Sequence, residues 1–443
     1  MVWSLVVWLA SAALILGVLT QRWWEPWLLK SGFNWRSLPV RWYLVGFPAT
    51  AIRMRWRWKQ VCQINDLSIS RKPSRAVVGD LAVNGTALRP VAPRLGLPRV
   101  TSTGLVVRVR LNPGQTPGPF LAASEALEHA WRVHRVRVTS PRRGELIVTV
   151  TAGDSLSGKA EALALPALPL MAARVGRIED GGAWELNLRR IPHWLVVGAT
   201  RSGKSTLLAA WVSRLAAQPV ALVGIDCKGG MELGLFEPRM SALACNRAEA
   251  VGLLGALVAE IESRMATCRA AHVRSIWELP EMQRPVPIVV LVDELAELYL
   301  SDGSRESRDE AAQCSTLLLR LAQLGAALGL HLIVAGQRVG SDLGPGVTAL
   351  RAQLSGRIAH RVNDGATAEM ALGDLSPDAV EVAQSITEDE QGVAVTTVGG
   401  RWMRARSELT TTEQARANAT EHAHRTPEMP ALVAAIAEGR KAA

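Results

Sequence analysis

The chain has 443 residues, 48% of them apolar, and a formal net charge of +10. That is enough apolar material for two or three packed domains, and it excludes disorder as the overall class. The charge is uneven: residues 1–160 hold 22 Lys/Arg against 7 Asp/Glu, and the remainder hold 28 against 33. A basic front part suits anionic lipid or nucleic acid as a neighbour, or equally a basic cytosolic surface beside a membrane anchor.

Residues 1–20, MVWSLVVWLASAALILGVLT, carry no charged side chain and match the length of a membrane-spanning helix, expected over residues 2–20. Arg22, Lys30, Arg36 and Arg41 follow it, so the positive-inside rule places the bulk of the chain in the cytoplasm, at the cell membrane. A cleaved signal peptide is the alternative, but it lacks a basic leading region. Nine of the 15 tryptophans lie in the first 58 residues, a density that suits the headgroup layer. A second apolar run, residues 38–52, contains Arg41 and reads as an interfacial segment or the returning half of a hairpin. Residues 1–58 are therefore expected to form the anchor.

Residues 60–160 read as a small α+β domain. LPRVTSTGLVVRVRL (97–111) alternates in strand fashion, PFLAASEALEHAW (119–131) has helical spacing, and strands return on both sides of an Arg143-Gly144 turn. Arg108, Arg110, Arg135 and Arg137 fall at alternate positions and line one face of their strands, either as a solvated face or as the lining of a nucleic-acid path. The five cysteines are widely separated with no metal-binding spacing, which predicts a reducing compartment and no zinc site.

The strand Trp194 to Val197 runs into Gly198, Ala199, Thr200, Arg201, Ser202, Gly203, Lys204, Ser205 and Thr206. This stretch satisfies G-x-x-x-x-G-K-[ST] and leads into a helix. Glycines here let backbone N–H groups converge on phosphate oxygens, and the positive end of the helix points at the same place. Lys204 is expected to bridge the β- and γ-phosphates, and the Ser205 hydroxyl to ligate Mg²⁺. The apolar run IVVLV that ends in Asp293-Glu294 reads as a buried parallel strand, with Asp293 in the Mg²⁺ shell and Glu294 as general base. Two further strands end in Asp226 and in Gln337-Arg338, and Gln337 is placed to sense the γ-phosphate or the attacking water. A last strand carries Arg357 and Arg361, either of them a candidate arginine finger toward a neighbouring subunit.

In this order, GATRSGKS, IDCKGGMEL, IVVLVDELAEL, HLIVAGQR and LRAQLSGRIAHRV resemble the motor domain of the FtsK/SpoIIIE family of DNA translocases, over residues 183 to about 412. The resemblance implies a RecA-like α/β P-loop NTPase fold over residues 175–412, ATP and Mg²⁺ as cofactors, a homo-hexameric ring with nucleotide sites at subunit boundaries, and double-stranded DNA drawn through it. It matches Lys228 and Glu232 to the family's positions after the second strand, Gln337 to its sensor glutamine and Arg357 to the arginine acting in trans. Cys227 stands where proline is frequent in the family, and Gly336 where threonine is usual. Residues 413–443 read as a short tail with an amphipathic segment at 430–440. A membrane-tethered motor of this build is similar to the conjugal transfer proteins of high-GC Gram-positive plasmids and integrative elements. That makes conjugal DNA transfer the leading expectation, with a chromosome-segregation pump and a protein-secretion ATPase as alternatives.

Overall fold

The computed structural model describes residues 42–71, 89–101, 103–154, 156–157, 168–373, 375, 377–398 and 401–442, which fall into two compact units, Met1–Ser155 and Leu156–Ala443. The span expected over residues 2–20 lies outside the described residues. Among the described residues no helix is long and apolar enough to cross a membrane.

In the first unit the end of the second apolar run forms a π-helical turn, Trp42–Gly46, and then enters the helix Phe47–Ile64. This helix runs straight through the expected boundary at 58–60. It buries Thr50, Met54, Trp58, Val61 and Cys62, a spacing that places one stripe toward a core. It ends where Asp66 turns left-handed at φ 54° and the Leu67 N–H caps the Cys62 carbonyl at 2.8 Å. Short strands follow: β1 (Ile69–Arg71), β2 (Arg89–Val91), β3 (Arg94–Leu95) and β4 (Arg99–Val100). Beyond them come β5 (Gly104–Arg110), the helix Ser124–Trp131, β6 (Arg135–Arg142) and β7 (Glu145–Thr151).

An antiparallel sheet of order β3-β5-β7-β6 results, with β4 also paired to β5. Its inward side chains, among them Leu105, Val107, Val109, Val136, Val138, Leu146, Val148 and Val150, pack with Met54, Trp58, Leu127 and Trp131 in one core. Buried residues alternate with half-buried or exposed ones along most of β5, β6 and β7, because among the described residues helices cover only this one face.

The second unit is built on a ten-stranded sheet. Its strands are β8 (Ala172–Ile178), β9 (Ala183–Asn187), β10 (His193–Val197), β11 (Ala221–Ile225), β12 (Met240–Ala244), β13 (Ile288–Val292), β14 (Leu330–Gly336), β15 (Gly356–His360), β16 (Val393–Val398) and β17 (Arg401–Ser407). The order is β12-β11-β13-β14-β10-β15-β16-β17-β8-β9, parallel from β12 through β15 and antiparallel beyond. The central parallel strands β11, β13 and β14 are mostly Val, Ile, Leu and Ala because helices cover both faces. Leu195 and Val197 face a core built with the helices Arg247–Ala270, Arg305–Leu324 and Pro430–Ala442, whereas Trp194 and Val196 face one built with Lys204–Ala216 and Thr412–Glu421.

The segment read as a tail is thus part of this unit. Leu432 and Ile436 enter the main core, and Arg440 Nε donates to the buried Glu249 at 2.8 Å.

Candidate functional site

Parallel strands deliver their carboxyl ends to one edge of the sheet, and the loop after β10 is anchored there on both sides. Gly198 N–H donates to the Gly336 carbonyl of β14 at 3.2 Å, and Ala199 N–H to the Arg361 carbonyl after β15 at 2.8 Å. The loop then turns through two left-handed residues, Arg201 (φ 61°) and Gly203 (φ 109°), before the Lys204–Ala216 helix begins. At the far end of that helix the fully buried Arg239 donates to the carbonyls of Ala216, Gln218 and Val220, so its last turn is not left unpaired.

The glycines serve a further purpose that the phosphate argument does not contain. A Cβ on Gly203 would lie 2.4 Å from the Gly392 backbone, where the turn before β16 rests on the loop and Gly392 N–H donates to the Ser202 carbonyl at 2.9 Å. A Cβ on Gly198 would lie 2.4 Å from Ser202 Oγ and 2.9 Å from His360 Cβ. Both positions are tight against protein.

Opposite the loop, β13 ends in Asp293 and Glu294, which are 2% and 6% exposed. Lys204 Nζ donates to Glu294 Oε2 at 3.1 Å, and Gln337 N–H donates to Glu294 Oε1 at 3.1 Å. Lys204, the acidic pair and the end of β14 therefore converge, although β14 separates β10 from β13 in the sheet. Thr200 Oγ1 and Gln337 Oε1 lie 3.5 Å apart across the mouth. Ser205 and Thr206 are half-buried in the first turn of the helix.

Lys228 is the group the motif reading undervalued. Its ammonium lies 3.5 Å from Asp293 Oδ2 and 3.5 Å from Glu294 Oε2. Asp226 sets the turn that carries it, accepting from the N–H groups of Lys228, Glu232 and Leu233 at 3.3, 2.8 and 3.0 Å. Burial alone would lower the Lys228 pKa, but Asp293 and Glu294 outweigh it and the pKa is raised. Burial pushes the Asp293 carboxyl up, against the pull of Lys228 and Lys204. Asp293 Oδ1 is buried without a hydrogen-bond partner.

The two strand arginines separate. Arg361 Nη2 donates to the Thr200 carbonyl of its own loop at 3.2 Å, and its guanidinium lies 3.6 Å from Glu388. Arg357 pairs with Leu195 in mid-sheet, is 5% exposed, and donates from Nη2 to the Arg351 carbonyl at 3.0 Å. Sequence signal existed for Lys228, through its place after the second strand. There was none for Gly392 or His360, which reach the loop only through the sheet order.

A buried lysine from a glycine-bounded loop, set against an acidic pair on a parallel strand, defines a P-loop ATPase motor. A family description, the actinomycete conjugal transfer protein N-terminal domain, matches residues 35–152, and the FtsK/SpoIIIE family matches residues 169–282 and 276–341. The transfer protein TraSA of Streptomyces ambofaciens is 42% identical over 396 residues, covering 86% of this chain and 94% of that relative. A sporulation regulatory protein of Streptomyces azureus is 47% identical over 263 residues, covering 59% of this chain and 86% of the relative. In fold, the chain is similar to the conjugation coupling protein TcpA of pCW3 in its monomer form with ATPγS, at TM-score 0.53 and 18% identity, covering 82% of this chain and 96% of that one.

The chain belongs to the actinomycete conjugal transfer proteins of the FtsK/SpoIIIE family. It is an ATP-hydrolysing DNA translocase of the conjugal type.

Proposed function

We propose that the chain hydrolyses Mg²⁺-bound ATP between the 198–205 loop and the 293–294 pair, and uses the cycle to move duplex DNA. The convergence of Lys204, Lys228 and Gln337 on Asp293 and Glu294 carries this reading. The donor set suits a hard cation: Asp293 has a buried oxygen without a partner, and the Ser205 hydroxyl lies in the first turn of the following helix. Asp293 and the Ser205 hydroxyl would hold Mg²⁺, whose charge would offset the negative charge of the transition state. Lys204 would hold the terminal phosphates, and Glu294 would take a proton from the attacking water. For Glu294 Oε2 to accept that proton, both Lys204 and Lys228 would have to turn from it toward phosphate, while the Gln337 N–H would keep the other oxygen in place.

Assembly as a homo-hexamer at the cell membrane belongs to the same proposal. The trans role of Arg357 requires its guanidinium to leave the Arg351 carbonyl for a neighbour's phosphate. Membrane attachment is supported by the apolar run 1–20 and by the outward side of the Phe47–Ile64 helix, where Ile52, Arg55, Trp56 and Lys59 are exposed. The test is ATPase activity of the full chain with and without linear duplex DNA. Duplex should stimulate wild type; Lys204→Ala should abolish turnover, and Glu294→Gln should retain ATP binding while turnover falls about 100-fold or more. Hydrolysis indifferent to duplex would sink the translocase reading.

A further inference from the structure

Seven arginines from four strands share the open face of the first unit's sheet, Arg142 of β6 opposite Glu145 among them. Strand register places them there: Arg94 lies opposite Arg110, Arg99 opposite Val106, Arg135 opposite Thr151 and Arg137 opposite Thr149, with Arg108 and Arg110 at alternate positions of β5. Arg94, Arg99, Arg108 and Arg110 are exposed, and Arg135 and Arg137 are half-buried. Glu145 lies on this face opposite Arg110 and 3.6 Å from Arg108. Thr139, Thr149 and Thr151 lie between the arginines. Neighbouring strands are about 4.8 Å apart and alternate residues about 6.8 Å, so the guanidinium groups form a grid and not a line.

We infer that this face docks the phosphate backbone of duplex nucleic acid. The inference rests on the proposed action on duplex DNA and gives it a second contact surface, outside the motor unit. Guanidinium forks bind phosphate oxygens bidentately, and hydroxyls between them add neutral donors. Among its described residues the face carries no aromatic ring on which an unpaired base would stack, so a duplex backbone fits it better than a single strand. A lipid surface is the less fitting polyanion, because the exposed Ile52 and Trp56 of this unit lie on the helix that covers the opposite face of the sheet.

The experiment measures binding of full-length protein to a short linear duplex, in two unrelated sequences, as a function of salt, alongside binding to phosphatidylglycerol vesicles. Each phosphate contact contributes about 0.9 to the slope of log affinity against log salt. Replacing Arg99 and Arg110 together by Gln should flatten the slope by about 1.8, weaken both duplexes equally, and leave DNA-free ATPase and vesicle binding as in wild type. Arg99→Lys with Arg110→Lys should keep the wild-type slope, which separates lost charge from lost fold. An unchanged slope in the Gln variant overturns the inference, as does a loss confined to vesicles. If wild type itself ignores duplex, the proposed function fails with it; if wild type binds duplex and the Gln variant matches it, this inference alone fails.

Discussion

Gly203 shows how much one atom decides at this site. Its φ of 109° disfavours any side chain, and the Gly392 backbone occupies the place a Cβ would take. Gly203→Ala therefore adds strain of roughly 1–3 kcal/mol and moves the turn before β16 off the loop. ATP affinity should drop tenfold or more while the rest of the sheet stays folded, a result readable by nucleotide titration beside far-ultraviolet circular dichroism. Wild-type affinity in that variant would remove the Gly392 contact from the account. That Lys204, Asp293 and Glu294 belong to one site was legible because a loop motif and an acidic strand end are local patterns. Lys228 was legible only as a family position, since its distance to the acidic pair depends on the Asp226-centred turn.

Among the elements, the Pro430–Ala442 helix departs furthest from its sequence reading. A short amphipathic stretch near a chain end resembles a loose tail, yet here it crosses the Arg247–Ala270 helix at backbone contact. A Cβ on Gly252 would lie 2.6 Å from the Ala435 carbonyl oxygen, and one on Gly439 would lie 2.7 Å from that of Ala248. Gly252→Val should push the helices apart and cost about 1–3 kcal/mol. Thermal unfolding should show a lower midpoint, and limited proteolysis faster cutting between residues 422 and 430. An unchanged midpoint would mean that the crossing adds nothing to stability. The glycines were visible in the sequence; their partners were not, because the two helices are far apart along the chain.

Across the whole motor unit, three buried histidines tie stability to pH. His193 is lowered to about 4, His331 to about 3 and His360 to about 4, each chiefly by burial. Protonation would also remove the acceptor that His193 Nδ1 offers to the Leu332 N–H. Depressed pKa values mean that their contribution is complete above the ordinary value near 6.5 and is lost as pH falls toward 4 and 3. Between pH 7 and 5, above most of the carboxylate range, each such histidine should cost about 1.4 kcal/mol per unit once acidification passes its unfolded pKa. Urea unfolding followed by far-ultraviolet circular dichroism should show this fall, and His331→Asn should make it shallower. A flat profile over that interval would exclude the histidines as the cause.

From the sequence alone came the phosphate loop, the acidic strand end, the small α+β module and the family likeness. Each rests on residues close together in the chain, where spacing and side-chain chemistry act without help from the fold. Tertiary structure alone decided the place of β14 between β10 and β13, the burial of Arg357, the docking of the last helix, and the gathering of arginines from β3, β4, β5 and β6 on one face. Those features depend on strand order and register, which are set by the packing of distant apolar faces and leave no mark on any local stretch of the chain.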